Sequence, residues 1–136
     1  MKVLIVGSNG FLGSHVKSIL NNEYDYEVLQ ITGKEQIDVT KYDDLDKYLS
    51  KSRPDVVINC AAFVGGISYG YKYPARMLYE NSMMAINLYK ASQKNKVEKL
   101  INPISNCAYP GNLTTYKEYY FFDGPPDDSA VSYTHL

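Results

Sequence analysis

Short, nearly continuous apolar runs alternate along the chain with longer segments in which apolar residues recur at helical spacing. "KVLIV" (Lys2 to Val6) is a β-branched run without polar interruption, the pattern of a central parallel strand covered on both faces. It gives way to "GSNGFLG" and then to "SHVKSILNN", where Leu12, Val16, Ile19 and Leu20 fall at helical spacing. "YEVLQI" predicts a second strand and "EQIDV" a short third one. "YDDLDKYLSKS" predicts a helix with acids in its first turn and basic residues in its last, the order the helix dipole favours. Pro54 closes that helix, and "DVVINCAA" is the next buried strand.

The longest periodic segment runs from Pro74 to about Asn95 and sets Met77, Leu78, Met84, Ala85, Leu88 and Ala91 on one stripe, its methionines expected as core packing. "VEKLINPIS" predicts a fifth strand, ending at Ser105; beyond it the pattern dissolves into a turn-rich, aromatic stretch suited to a long functional loop. Strands alternating with helices imply right-handed βαβ units and an α/β fold with a doubly wound parallel sheet. Residues 1–136 have the length of one domain. Ligands in such sheets bind at the carboxyl ends of the strands, which singles out Gly7 to Gly13, Thr32 to Lys34, Asp38, Ala61 to Gly66 and Ser105 to Cys107.

Composition then removes other classes. A formal net charge of -1 without a basic arm speaks against a nucleic-acid partner, and no apolar stretch is long enough to cross a bilayer. Two cysteines, Cys60 and Cys107, make neither a disulfide framework nor a zinc spacing, so no metal site and a reducing, cytoplasmic setting are expected. With 14 tyrosines, a catalytic one must be identified by its context.

Gly7, Gly10 and Gly13 stand between a predicted strand and a predicted helix, with Ser8, Asn9, Phe11 and Leu12 completing the turn. Glycines here permit a tight turn and close approach of the backbone to a pyrophosphate, which the helix N-terminus attracts. A bare glycine turn is the plain alternative. The second strand ends in "QITGK", with no acid before Glu35 to accept from ribose hydroxyls. Thr32 and Lys34 can instead meet a 2′-phosphate, which favours NADP and leaves NAD possible; a solvated Lys34 is the plain alternative.

"GSNGFLGSH", the "DVT" at Asp38, "INCAA" and a Ser/Cys loop followed by a tyrosine resemble the extended short-chain dehydrogenase/reductase (NAD-dependent epimerase/dehydratase) family. "NCAAFVGGI", "YPARMLYENSMMAIN", "SNCAYPG" and "GPP" leading to "SY" are most similar to its epimerase/reductases of nucleotide-linked 4-keto-6-deoxy sugars. The resemblance implies a Rossmann-type fold, a nucleotide-sugar substrate and a homodimer when full-length. It places Asp38 on the adenine with Val39 beside it, sets Ala61, Ala62 and Val64 along the cofactor, and puts Asn81 and Asn87 where the family also has asparagines. Asn87 fits equally as a fixer of the neighbouring strand. Ser105 would hydrogen-bond the oxygen at the reacting carbon, and Tyr133 would protonate it. Free tyrosine has a pKa of about 10, so a nearby cation is required.

Cys107 would work with a histidine to move protons beside the ketone, which its thiol, of pKa about 8.5, suits; a small buried cysteine is the plain alternative. Neither His15 nor His135 matches the partner histidine. The family's lysine follows its tyrosine by four positions, hence just past Leu136. Residues 1–136 are accordingly expected to be the cofactor-binding part of a longer protein, inactive without the later strands and substrate domain. Two alternatives stand beside this reading: a nucleotide-sugar 4-epimerase or dehydratase holding NAD, and a non-catalytic dinucleotide-binding module.

Overall fold

Val3, Leu4, Ile5 and Val6 of β1 (Lys2–Val6) are each no more than 2% exposed. Neighbours along a strand point to opposite faces, so both faces of this strand are covered, as its unbroken apolar run predicts. In the computed structural model, which describes residues 1–126, β1 pairs in parallel with β2 (Glu27–Ile31) and with β3 (Val56–Asn59), and β3 pairs in parallel with β4 (Lys99–Ile101). The sheet order is β2-β1-β3-β4. The chain leaves β1 first towards one side and later returns to the other, so the switch point lies between β1 and β3.

Two compact units divide the chain: Met1–Ala62 with Met83–Pro103, and Phe63–Ser82 with the described residues from Ile104 onward. The first holds the sheet, with α1 (Phe11–Glu23) packed on β1 and β2. Its core also takes Leu45 and Leu49 of α2 (Tyr42–Ser52) and Met84, Leu88 and Ala91 from the later part of α4 (Pro74–Lys94). The second unit contains α3 (Ile67–Lys72), the start of α4, and two short 3-10 turns at Asn106–Ala108 and Glu118–Tyr120. Its aromatic stretch is ordered by edge-on packing of Tyr109 against Tyr116 and Phe121, with ring centroids 5.3 and 5.1 Å apart.

The boundaries of β1 and α2 follow the sequence pattern, and four expectations are corrected. "EQIDV" forms no strand: the N–H groups of Gln36 and Ile37 both donate to the Gly33 carbonyl, winding the segment into a turn. The strand ending at Ser105 stops at Ile101; Pro103 has no N–H for a ladder, and Ser105 lies beyond the sheet. On α4 the buried stripe passes through Met77, Asn81, Met84, Asn87, Leu88 and Ala91, while Leu78 is exposed. Leu12 and Ile19 of α1, which share helical spacing with Val16 and Leu20, are also exposed. The short helix α3 has no forecast in the apolar pattern.

The end of α2 generates a stability test. Arg53 caps the helix in the left-handed region (φ 48) and donates its N–H to the Leu49 carbonyl, a position that glycine occupies without Cβ strain. Arg53→Gly is expected to raise stability by about 0.5–1 kcal/mol. The urea midpoint should rise with an unchanged denaturant slope; a fall would contradict this account of the cap.

Candidate functional site

At the exit of β1 the chain turns on three glycines, two of which the packing requires. Gly7 has φ +79, and a Cβ there would lie 2.7 Å from the Ala61 nitrogen, so this turn meets the exit of β3 backbone to backbone. Gly13 lies against the Gly7 carbonyl so closely that any Cβ would collide with it. A Cβ on Gly10 would stand 3.3 Å from that same oxygen, a contact that a small shift relieves. The missing side chain at Gly10 is therefore not demanded by the fold. It leaves the start of α1 open to a ligand.

Hydrogen bonds fix this turn to its neighbours. The Gly7 and Ser8 N–H groups donate to the Ile31 carbonyl at 2.8 and 3.1 Å, joining the exits of β1 and β2. Gly10 N–H donates to the Gly7 carbonyl at 3.0 Å and Ser14 N–H to the Gly10 carbonyl at 2.9 Å, which launches α1. No side chain caps this helix, so its first-turn donors remain available to an anion. Ser8 is wholly buried and its hydroxyl donates to Gln30 Oε1 at 3.3 Å. Asn9, Phe11 and Leu12 are exposed beside it, the Phe11 ring lying against His15 with centroids 4.9 Å apart.

At the exit of β2, Thr32 is held by Gln36, whose Oε1 accepts from the Thr32 N–H at 2.9 Å and from its hydroxyl at 3.0 Å. Lys34 Nζ stands 3.5 Å from Asp38 Oδ2, so two sequence candidates pair with each other. Asp38 Oδ1 accepts from the Thr40 hydroxyl at 2.6 Å and from its N–H at 3.1 Å. Burial pushes the Asp38 carboxyl up, but the two bonds from Thr40 and the Lys34 charge outweigh it and hold the group below the usual range. Val39 is buried, and its carbonyl accepts from Asn87 Nδ2 at 3.1 Å. Asn87 thus acts as a fixer, though of this loop and not of a strand.

The exit of β3 contains a residue that the sequence reading missed. Asn59 is buried at the end of an otherwise apolar strand, donates from Nδ2 to Asn102 Oδ1 at 2.7 Å and accepts the Ala61 N–H at Oδ1, 3.1 Å away. One amide thereby sets the backbone that abuts Gly7 and ties it to the segment leaving β4. The detectable signal was a lone amide within "DVVINCAA". Cys60, beside it, is half-buried, and burial pushes its thiol up, against a role as a reactive thiolate.

In the second unit, Asn81 holds the start of the segment after β3: its Oδ1 accepts from Phe63 N–H at 2.7 Å, while Nδ2 donates to the Phe63 and Met77 carbonyls. Val64 follows, 65% exposed. Ser105 is exposed, and its carbonyl accepts from the Ala108 N–H at 3.1 Å, closing the turn that contains Cys107. Tyr133 lies outside the described residues. The first unit therefore contains Gly7 to Gly13, Thr32, Lys34, Asp38, Val39, Ala61 and Ala62, with Gly7 against Ala61 and Lys34 paired with Asp38, and the second contains Val64, Ser105 and Cys107. Among the described residues, no group of three or more His, Cys, Asp or Glu could hold a metal ion, and no helix is long and apolar enough to cross a membrane.

A model of the NAD dependent epimerase/dehydratase family matches residues 3–133. The chain is 34% identical over 110 residues to GDP-L-colitose synthase of Yersinia pseudotuberculosis, covering 81% of this chain and 35% of that protein. It is 35% identical over 109 residues to GDP-L-fucose synthase of Sinorhizobium fredii, covering 80% and 34%. A solved GDP-L-fucose synthetase from Naegleria fowleri bound to NADP is similar with a TM-score of 0.84 at 26% identity, covering 98% of this chain and 40% of that one. The chain thus spans about a third of the length of the two curated relatives.

The lowered Asp38 carboxyl sets a pH dependence. A group held below its unfolded value contributes stability above that value, about 3.9, and loses it as pH falls through the native value. Asp38→Asn is therefore expected to be less stable than the wild type at neutral pH, with the difference shrinking below about pH 4. Urea denaturation across this range measures it, and a difference independent of pH would contradict the assignment.

Proposed function

The chain belongs to the NAD dependent epimerase/dehydratase family, and from that premise we propose that it is the dinucleotide-binding part of an NADP(H)-dependent epimerase/reductase of a nucleotide-linked 4-keto-6-deoxy sugar. The carrying observation is the glycine turn at the switch point between β1 and β3, where Gly7 and Gly13 are required by packing and Gly10 is left bare beside uncapped helix donors. The fit to a dinucleotide is local: the α1 N-terminus takes the pyrophosphate, and the exit of β2 takes the adenosine ribose. Thr32 to Lys34 carry no carboxylate of their own, and Lys34, though paired with Asp38, is exposed there, which supports NADP(H) over NAD(H). Similarity to GDP-L-colitose and GDP-L-fucose synthases, and to a synthetase bound to NADP, supports the substrate class and the cofactor.

The glycine turn and the exit of β2 would hold NADP(H), which would supply hydride chemistry at the carbonyl carbon of the sugar. The chain's own residues manage oxygen and protons. The Ser105 hydroxyl donates a hydrogen bond to the reacting oxygen, and the Tyr133 phenol delivers the proton that neutralises it. Cys107 would work with a histidine at the carbons beside the ketone, whose carbonyl makes those C–H bonds acidic: one group takes the proton and the other delivers one to the opposite face, inverting the centre. A thiol is suited to this because a modest electropositive influence brings its pKa near neutrality.

NADPH titrated into the chain should enhance the nucleotide's fluorescence and raise the melting temperature. Gly10→Val should lose at least tenfold in affinity, because its side chain fills the space kept for the ligand, while the protein remains folded. Gly13→Ala, whose Cβ meets backbone, should instead unfold more easily by about 1–3 kcal/mol. Absence of any NADPH response in folded wild-type chain would overturn the proposal.

A further inference from the structure

The loop leaving β2 carries the groups on which a choice between NADP(H) and NAD(H) turns, and its shape depends on the side chain of Gln36, a residue outside the set of expected cofactor contacts that binds one of them, Thr32. Gln36 accepts from the N–H and the hydroxyl of Thr32 and donates from Nε2 to the Gln30 carbonyl at 3.3 Å. Its backbone N–H donates to the Gly33 carbonyl at 3.1 Å, so the same residue closes the turn through main chain and side chain. Three consequences follow from this bracing. Thr32 directs its hydroxyl proton at Gln36, the Gly33 turn is tied to β2, and the exposed Lys34 is held at the strand exit, within reach of Asp38.

We propose that Gln36 is a specificity-determining positioning residue: by bracing Thr32 and the Gly33 turn it presents Lys34 where a 2′-phosphate is favoured over a 2′-hydroxyl. An amide suits this task because it accepts and donates at once without adding a negative charge. A carboxylate in its place keeps the acceptor for Thr32, drops the donor to Gln30 and repels phosphate. This inference rests on the NADP(H) reading above.

Adenosine 2′,5′-bisphosphate and 5′-AMP differ only in the 2′-phosphate, and calorimetric titration of each into the chain isolates it. The wild type should prefer the bisphosphate. Gln36→Leu should lower that preference about tenfold, with 5′-AMP affinity changing less than about threefold. Gln36→Glu, nearly isosteric and chosen to fold if the leucine variant does not, should lower the preference further. Wild-type preference retained in both variants, or equal losses for both ligands, would overturn the role of Gln36 alone. A wild type that binds without preference would overturn the NADP(H) reading and this inference with it.

Discussion

The carbonyl group of Gly7 lies where the exit of β1, the exit of β3 and the first turns of α1 converge, and the architecture of the sheet unit depends on how closely they meet. Its oxygen accepts the Gly10 N–H, Gly13 lies against it, and the Ala61 backbone abuts the Gly7 α-carbon. Side chains at Gly7 or Gly13 would force strand and helix apart. The Ile31 carbonyl, which receives the Gly7 and Ser8 N–H groups, adds the exit of β2 to the same junction. Close packing therefore fixes the entry angle of α1 and leaves its first-turn donors facing the carboxyl end of the sheet, where a helix dipole and unpaired N–H groups are worth most to an anion.

In each unit the decisive side chains at the ends of regular segments are amides. In the sheet unit Asn59 orders the exit of β3, Asn87 the Val39 loop and Gln36 the exit of β2; in the second unit Asn81 holds the backbone of Phe63. Each satisfies backbone groups that leave the regular ladders at strand ends, where an apolar residue would strand them without partners. The scaffold thus combines an apolar sheet interior with an amide-braced rim, and the rim is where the proposed ligand contacts lie.

This division also explains what the sequence disclosed. β1 and α2 were legible because an unbroken apolar run and a charge-ordered amphipathic helix each admit one reading. The glycine turn was legible through its place between strand and helix. Asn59 and Gln36 were not, and Asn81 and Asn87 were legible only through the family resemblance, because apolar periodicity treats them as outward positions although both lie within the buried stripe of α4. "EQIDV" alternates like a strand, yet Gly33 collects the donors of Gln36 and Ile37, so local turn chemistry overrode the alternation. The proposed roles of Ser105 and Cys107 rest on their motif and on an expected strand end; Ser105 lies past the end of β4 and Cys107 in the turn that follows, where periodicity carries no information.

The central claim, that the glycine junction is a dinucleotide site, is tested most directly by backbone amide NMR of the labelled chain during NADPH titration. The account predicts that the largest shifts fall on Gly7, Ser8 and Gly10 to Gly13, with a second group at Thr32 to Lys34. Shifts confined to other parts of the chain, with the junction amides unmoved at saturation, would contradict it.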